Sequence, residues 1–157
     1  MPHSSMEYAI MVPVLLVQVI LIPAATAWII DVWTVKRKEN ALQDIANHVG
    51  STIQQLYFSL NRDDVTPGTT LQSANFPLDV ENIPFTIIAF SKKVENTTIL
   101  DLQLALTGTE VTTTSRVTLG PNTLWKDSTF SSNSTDPGIG VVKFSNGTLQ
   151  FSFEQEV

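Results

Sequence analysis

The sequence predicts an α+β protein in which one long N-terminal helix precedes a β-sandwich domain of immunoglobulin-like size. Tyr8 to Ile30 is a run of 23 residues without a charge, long enough to cross a bilayer as a helix. After residue 70 the chain changes to short, β-rich segments separated by turn residues. We therefore expect the helix over residues 1–62, a linker over 63–70 and the β-sandwich over 71–157.

The predicted helix continues beyond the charge-free run as an amphipathic segment. Its apolar residues recur at spacings of three and four, which places them on one helix face. They are Leu42, Ile45, Val49, Ile53, Leu56 and Leu60. A helix of roughly 80 Å is too long to fold back into so small a domain. We therefore expect its apolar surface to be covered by lipid or by other copies of the chain.

Three residues inside the charge-free run are unusual for an apolar helix. Pro13 and Pro23 each remove a backbone hydrogen bond, which costs about 3 kcal/mol in water and is tolerated as a kink in apolar surroundings. Either they are neutral, or they let packed helices bend or locally unwind, and we favour the second interpretation. Gln18 is strongly polar and lies in mid-run, so we expect it to hydrogen-bond a neighbouring helix.

The strands of the predicted domain are short and number six or seven. Candidate strands lie near 71–78 and at 85–90, 98–107, 110–119, 123–125, 141–144 and 148–153. From Leu100 to Leu106 every second residue is leucine, so these leucines are predicted to share one face. Residues 128–140 are polar and are predicted to form a long loop. The order of the strands cannot be read from the sequence.

The last hairpin carries the clearest turn signal. Asn146-Gly147 favours a two-residue type I′ turn, in which both central residues have positive φ. That turn would pair Phe144 with Leu149 and Val142 with Phe151 on one face of the sheet.

Composition argues against several classes of function. The formal net charge is −6 and the single basic cluster is Lys36-Arg37-Lys38, which argues against a nucleic-acid partner. The absence of cysteine excludes disulfides and thiolate metal sites. His3 and His48 are the two histidines, and no metal-ligand set, catalytic triad or phosphate-binding loop can be built around them. We predict a protein that is not an enzyme and carries no cofactor or metal.

Two signals disagree about which side of a membrane the domain occupies. Three sequons, at Asn96, Asn133 and Asn146, predict N-glycans and therefore a domain that has crossed a membrane, although one or two are expected by chance. The basic cluster at 36–38 predicts a cytoplasmic domain by the positive-inside rule. The disagreement is removed if a basic leader has been processed away, or if the apolar run ends up inside a protein filament.

The head of the helix resembles a known family. A small polar residue, then a glutamate, then a long apolar run that leads through an amphipathic helix into a β domain resemble the type IV pilin superfamily, in particular archaeal pilins and archaellins. Many archaeal members have a Q-x-S-x-E-x-x-x-L motif near the mature start. The segment His3-Ser4-Ser5-Met6-Glu7-Tyr8-Ala9-Ile10-Met11 is similar to it, with His3 in place of Gln and Met11 in place of Leu.

The resemblance implies a route of assembly. A prepilin peptidase removes a short basic leader, and pilus machinery then draws the helices from the membrane into the core of a helical homopolymer. Glu7 is expected to pair with the α-amino group of a neighbouring subunit, because an unpaired carboxylate in an apolar core is costly. The sequence departs from the family in having no basic leader, and no Gly or Ala, before His3. Either the recorded start lies near the mature end, or it is misassigned, or cleavage does not occur as in the family.

These expectations give one leading hypothesis and three alternatives. The leading one is a structural subunit of an extracellular archaeal type IV pilus-like filament for adhesion or surface attachment. Within the same superfamily the alternatives are an archaellin of a swimming filament and a secretion-system pseudopilin. From a different class, the alternative is a monomeric, membrane-anchored β-sandwich binding module, whose amphipathic helix half would need a separate partner.

Overall fold

A computed structural model describes residues 3–73 and 76–156, apart from the side chains of residues 3–10, 136, 155 and 156. Within these residues there is one helix, α1 (His3–Leu60), and it is followed by strands. The strands are β1 (Gly68–Ser73), β2 (Phe85–Val94), β3 (Thr97–Leu106), β4 (Thr112–Leu119), β5 (Thr123–Trp125), β6 (Thr129–Ser131), β7 (Thr135–Lys143) and β8 (Leu149–Glu156). The predicted α+β class, with a long N-terminal helix before the β region, is confirmed.

The chain divides into two compact units. Residues 1–37 form the first, and the part of it that is described is helical. Residues 38–157 form the second, which contains the rest of α1 and all the strands named above. This division differs from the predicted boundaries at 62 and 70, because the second part of α1 belongs with the strands.

The strands form two four-stranded sheets. One sheet has the order β1-β7-β8-β5, and the other has the order β4-β3-β2-β6. Neighbouring strands run antiparallel, except that β5 runs parallel to β8. In β3 the leucines at 100, 102, 104 and 106 are buried while the residues between them are not, so the predicted alternation is confirmed.

The inner faces of the two sheets share one hydrophobic core. Phe130 on β6 lies at its centre, with ring centroids 5.7 Å from Phe76, 6.1 Å from Phe85 and 5.7 Å from Phe153. Since Phe85 belongs to the β2 sheet and Phe153 to the β8 sheet, Phe130 joins the two layers. The domain is therefore a β-sandwich held by apolar burial without disulfides.

The second part of α1 completes this core. Val49 and Ile53 are 0% exposed, and α1 approaches the sheet so closely at Gly50 that a Cβ there would lie 2.9 Å from Val117 Cγ2. Leu42, Ile45 and Leu56 are also buried, and Leu60 is partly buried against the same cluster. The expectation that lipid or other copies cover this stripe is wrong. The stripe from Leu42 to Leu60 is only about 27 Å long, which is short enough to lie along one small domain.

The carboxyl end of α1 is capped by a lysine from β7. Lys143 Nζ donates to the carbonyl of Leu60 at 2.9 Å and to the carbonyl of Arg62 at 2.6 Å. The last carbonyls of a helix lack intrahelical donors and carry partial negative charge, so an ammonium group stabilises them. Lys143 thereby joins the end of the helix to the β1-β7-β8-β5 sheet.

Replacing Lys143 with methionine is expected to destabilise the domain by about 1–2 kcal/mol, because two charge-assisted hydrogen bonds are lost while the length of the side chain is kept. Thermal unfolding of the full chain in detergent micelles measures this. Lys92→Met is the matched control, since Lys92 is exposed on β2. Equal melting temperatures for the two variants would contradict the cap.

The register of the last hairpin differs from the prediction by one residue. Lys143 pairs with Leu149 and Val141 with Phe151, whereas Val142 was predicted to pair with Phe151. Gly147 has φ of +80° and its N–H donates to the carbonyl of Phe144, and no positive φ is found at Asn146. The connection is thus a longer turn with glycine in the left-handed position, which shifts the register by one residue and places Val141 instead of Val142 on the face of Phe151.

The predicted loop over residues 128–140 is also corrected. Residues 129–131 form β6, and β7 already begins at Thr135. Pro137, Gly138 and Gly140 gave this segment its loop-like composition. The register between β7 and β8 shifts between Thr135 and Gly138, so the proline lies at a bulge, where a missing N–H is tolerated.

Candidate assembly and membrane surface

The first part of α1 presents apolar side chains in every direction. From Met11 to Val35 every large apolar side chain is between 40% and 75% exposed. The residues that the structure describes bury none of the most apolar stretch, and the helix is long and apolar enough to cross a membrane. A helix that is hydrophobic all round needs lipid or protein on all sides. Covering it is worth tens of kcal/mol, at roughly 1.5–3 kcal/mol for each side chain fully buried.

The predicted assembly residues all lie on the first part of α1. Pro13, Gln18 and Pro23 all lie within α1 and are exposed, and α1 is assigned as helix across both prolines. Glu7 also lies within α1, but its side chain is outside the described set, so its predicted partner stays a prediction. Gln18 lies five residues from each proline along the helix.

Threonines in this surface satisfy their hydroxyls within α1. Thr26 Oγ1 donates to the carbonyl of Ile22 at 2.8 Å, and Thr34 Oγ1 donates to the carbonyl of Ile30. Such bonds to the carbonyl four residues back let a hydroxyl lie in apolar surroundings without an outside partner. For the Gln18 carboxamide, by contrast, the described residues supply no hydrogen-bond partner.

The predicted stripe is not part of this surface, because it is buried in the domain core. Two further helix residues, which the prediction missed, are buried in the same core. Ala46 and Tyr57 are buried together with the stripe. Each follows a stripe residue, Leu42 or Ile53, by four positions, so a strict helical period would have included both. The helix thus has two surfaces with different partners, and the part after Arg37 is covered by the strands.

The three sequon asparagines lie in exposed turns of the sandwich. Asn96 is in the β2–β3 turn, Asn133 lies between β6 and β7, and Asn146 is in the β7–β8 turn. The hydroxyl of Thr98 donates to the carbonyl of Thr123 at 3.3 Å, and Thr123 pairs with the first residue of β8. The turns of Asn96 and Asn146 therefore lie at the same end of the sandwich.

That shared end is also the end at which α1 finishes, since the last residue of β7 caps the helix. Asn133 lies at the opposite end, because Ser132 beside it bonds the backbone of Phe85 at the start of β2. If the sequons are used, glycans would therefore project from both ends of the domain.

Glycosylation is expected to raise the intact mass of the protein isolated from its source above the 17.3 kDa of the bare chain. Mass spectrometry of the native protein and of Asn96→Gln, Asn133→Gln and Asn146→Gln variants measures this, because each substitution removes one acceptor. An unmodified mass for the native protein would show that the sequons are fortuitous.

A groove lies beside the second part of α1. It has a volume of 410 Å³ and runs between the helix and the edge strand β1. The described residues that line it include no Asp, Glu, Lys or Arg. These lining residues are His48, Thr52, Gln55, Leu56, Ser59, Gln72, Ser73 and Phe76. The His48 ring meets Phe76 edge-on at 5.6 Å, so this histidine has a packing contact. Among the described residues, no three His, Asp or Glu side chains are grouped to hold a metal ion.

Comparison of the chain with protein-family models, with curated proteins and with solved structures finds no match. The likeness to archaeal pilins therefore rests on the residues at the head of α1 and on the architecture.

Proposed function

We propose that this chain is a structural subunit that is inserted in a membrane through the first part of α1 and assembles through that same helix into an extracellular filament like the archaeal type IV pilus. Its filament serves adhesion or surface attachment, and the β domains face outward. The proposal is supported chiefly by the apolar surface from Met11 to Val35, which the described residues leave uncovered on all sides.

Polar groups inside that surface favour assembly over simple anchoring. Lipid tails cover apolar side chains as well as protein does, but they cannot bond the carboxamide of Gln18. They also cannot supply a donor to the backbone carbonyls that Pro13 and Pro23 leave open. Other copies of the same helix supply both apolar contact and hydrogen-bonding groups, and the family resemblance at Glu7 implies the same mode of contact.

The anchored monomer is the second candidate, and one observation favours it. The amphipathic stripe was expected to require a partner, yet it is buried in the domain's own core. A single copy therefore needs only lipid around residues 11–35. This chain would then be a membrane-anchored β-sandwich that binds its target through exposed strand edges or loops. Archaellin remains an alternative within the filament proposal, since motor coupling would depend on surfaces that the helix does not define.

Electron microscopy of filaments sheared from the source cells, with terminal sequencing of their main subunit, tests the proposal. Fibres composed of this chain, with an amino terminus near His3, are the expected result. A protein that stays in the membrane fraction and dissolves in detergent as a monomer would favour the anchored module instead.

Replacing Glu7 with alanine is expected to leave membrane insertion intact and to reduce the yield of filaments at least about tenfold, which corresponds to 1.4 kcal/mol or more per contact. The reason is that Glu7 is the charge at the head of the apolar run, and the resemblance gives it an amine partner. Sheared filament and membrane fractions are quantified by immunoblot. Glu39→Ala is the control, since it removes a carboxylate beyond the apolar run. Filament yields equal to the control would remove the pairing.

A further inference from the structure

The carboxamide of Gln18 is the starting point, because it is the strongly polar group that the apolar surface exposes in its middle. A glutamine offers two donor hydrogens and a carbonyl acceptor. In lipid or in a helix bundle each of these groups costs free energy if it stays unpaired. Thr26 and Thr34 avoid that cost by bonding their own helix, and the described residues offer Gln18 no such bond.

Pro23 creates the matching acceptor. In an α-helix the N–H of residue 23 would bond the carbonyl of Val19, but proline has no N–H. The hydroxyl of Thr26 bonds the carbonyl of Ile22 instead, so it does not replace the missing donor. The carbonyl of Val19 thus lacks its usual intrahelical donor, and it is next in sequence to the donor at Gln18.

We propose that in the filament the Gln18 carboxamide of each copy donates to the Val19 carbonyl of a second copy, the acceptor that Pro23 leaves open. This inference rests on the proposed function, since it needs assembled helices. The backbones of the donor residue and the acceptor residue differ by only about 1.5 Å in height along the helix axis. Parallel helices at a small axial offset therefore bring them together.

The geometry also favours an open polymer over a closed dimer. Consecutive residues are separated by about 100° around the helix axis, so the donor and the acceptor face different neighbours. Each copy then donates to one neighbour and accepts from another. Such a head-to-tail contact repeats into a ring or a helical filament, whereas a closed dimer needs the same patch on both partners.

A double-mutant cycle on the full-length protein tests the pairing. The protein is labelled with a donor or an acceptor fluorophore, reconstituted in phosphatidylcholine vesicles, and its association constant is measured by energy transfer. Gln18→Leu removes the donor, and Pro23→Ala supplies an N–H that occupies the Val19 carbonyl. Each is expected to weaken association about threefold to tenfold, which is the range of hydrogen bonds between membrane helices. Together they should weaken it no more than one does alone.

Pro13→Ala is the matched control, because it makes the same substitution ten residues away and occupies a different carbonyl. Its effect should multiply with that of Gln18→Leu, since the two sites are independent. Two results would overturn the pairing and leave the proposed function standing. In the first, the factors by which Gln18→Leu and Pro23→Ala lower the association constant multiply in the double variant. In the second, Gln18→Leu leaves the association constant unchanged. A wild-type protein that forms neither filaments in cells nor oligomers in vesicles would overturn both. In wild-type filaments, a structure should place Gln18 Nε2 within hydrogen-bond distance of Val19 O in a neighbouring copy.

Discussion

Replacing Ile53 with aspartate is expected to unfold the β domain even when the protein is a detergent-solubilised monomer. Ile53 is 0% exposed and lies in the core shared by α1 and both sheets. A carboxylate there loses its hydration without gaining a partner, and the apolar contacts of the isoleucine are lost as well. The loss is expected to be about 4 kcal/mol or more, which is a large part of the stability of a typical small domain.

Thermal unfolding in detergent micelles, followed by near-ultraviolet circular dichroism, measures this loss. Ser51→Asp is the matched control, because it places the same charge on an exposed position of the same helix turn. Micelles keep the copies apart, so a stripe that served only to join copies would tolerate Ile53→Asp as well as the control. That outcome would contradict the assignment of the stripe to the domain core.

Replacing Gly120 with alanine is expected to cost about 3 kcal/mol or more, which is the upper part of the range for overpacking. A Cβ at this position would lie 1.9 Å from Tyr57 Oη and 2.8 Å from Tyr57 Cζ. Both distances are far inside van der Waals contact, so either the ring or the backbone of residue 120 has to move.

The tyrosine cannot move cheaply, because its hydroxyl belongs to a hydrogen-bond network at the end of α1. Asn61 Nδ2 donates to Tyr57 Oη at 3.0 Å, and Asn122 Nδ2 donates to Asn61 Oδ1 at 2.7 Å and to the carbonyl of Gly147 at 2.8 Å. Displacing the ring breaks the first of these bonds and loosens the others. Gly120 is therefore needed for the connection between β4 and β5 to lie close to the end of α1.

Gly68→Ala is the control for this substitution, since a Cβ at Gly68 would meet nothing within 4 Å. It is expected to change stability by less than about 1 kcal/mol. Tyr57→Leu should be less costly in the Gly120→Ala background than in the wild type, because the hydroxyl that causes the clash is then absent. Equal denaturant midpoints for Gly120→Ala and Gly68→Ala would refute the steric argument.

The sequence was sufficient to predict the fold class, because local residue patterns carry that information. An uncharged run of 23 residues is long enough to span a bilayer whatever follows it, and the alternating leucines of β3 mark a half-buried strand. The candidate assembly residues Pro13, Gln18 and Pro23 could be named for the same reason, since each is chemically out of place in an apolar helix.

The pairing of the strands could not be predicted from the sequence in the same way. The Asn-Gly signal was present at 146–147, but the turn uses positive φ only at Gly147, and the register moved by one residue. Turn type depends on how the flanking strands pack, so the buried pair of Val141 and Phe151 outweighed the local preference. The first part of β7, residues 135–140, was missed because a bulge accommodates a proline that composition assigns to a loop.

The helix, its charge-free half and the periodicity of its second half follow from the sequence alone, because each depends only on the order of residues along one element. What covers the second half depends on tertiary packing. Val49 looks the same in sequence whether it meets a strand, a lipid or another copy of the chain, and the choice depends on how two sheets are spaced around it. The fold places that stripe inside the domain, which leaves the surface from Met11 to Val35 as the part of the helix that needs partners.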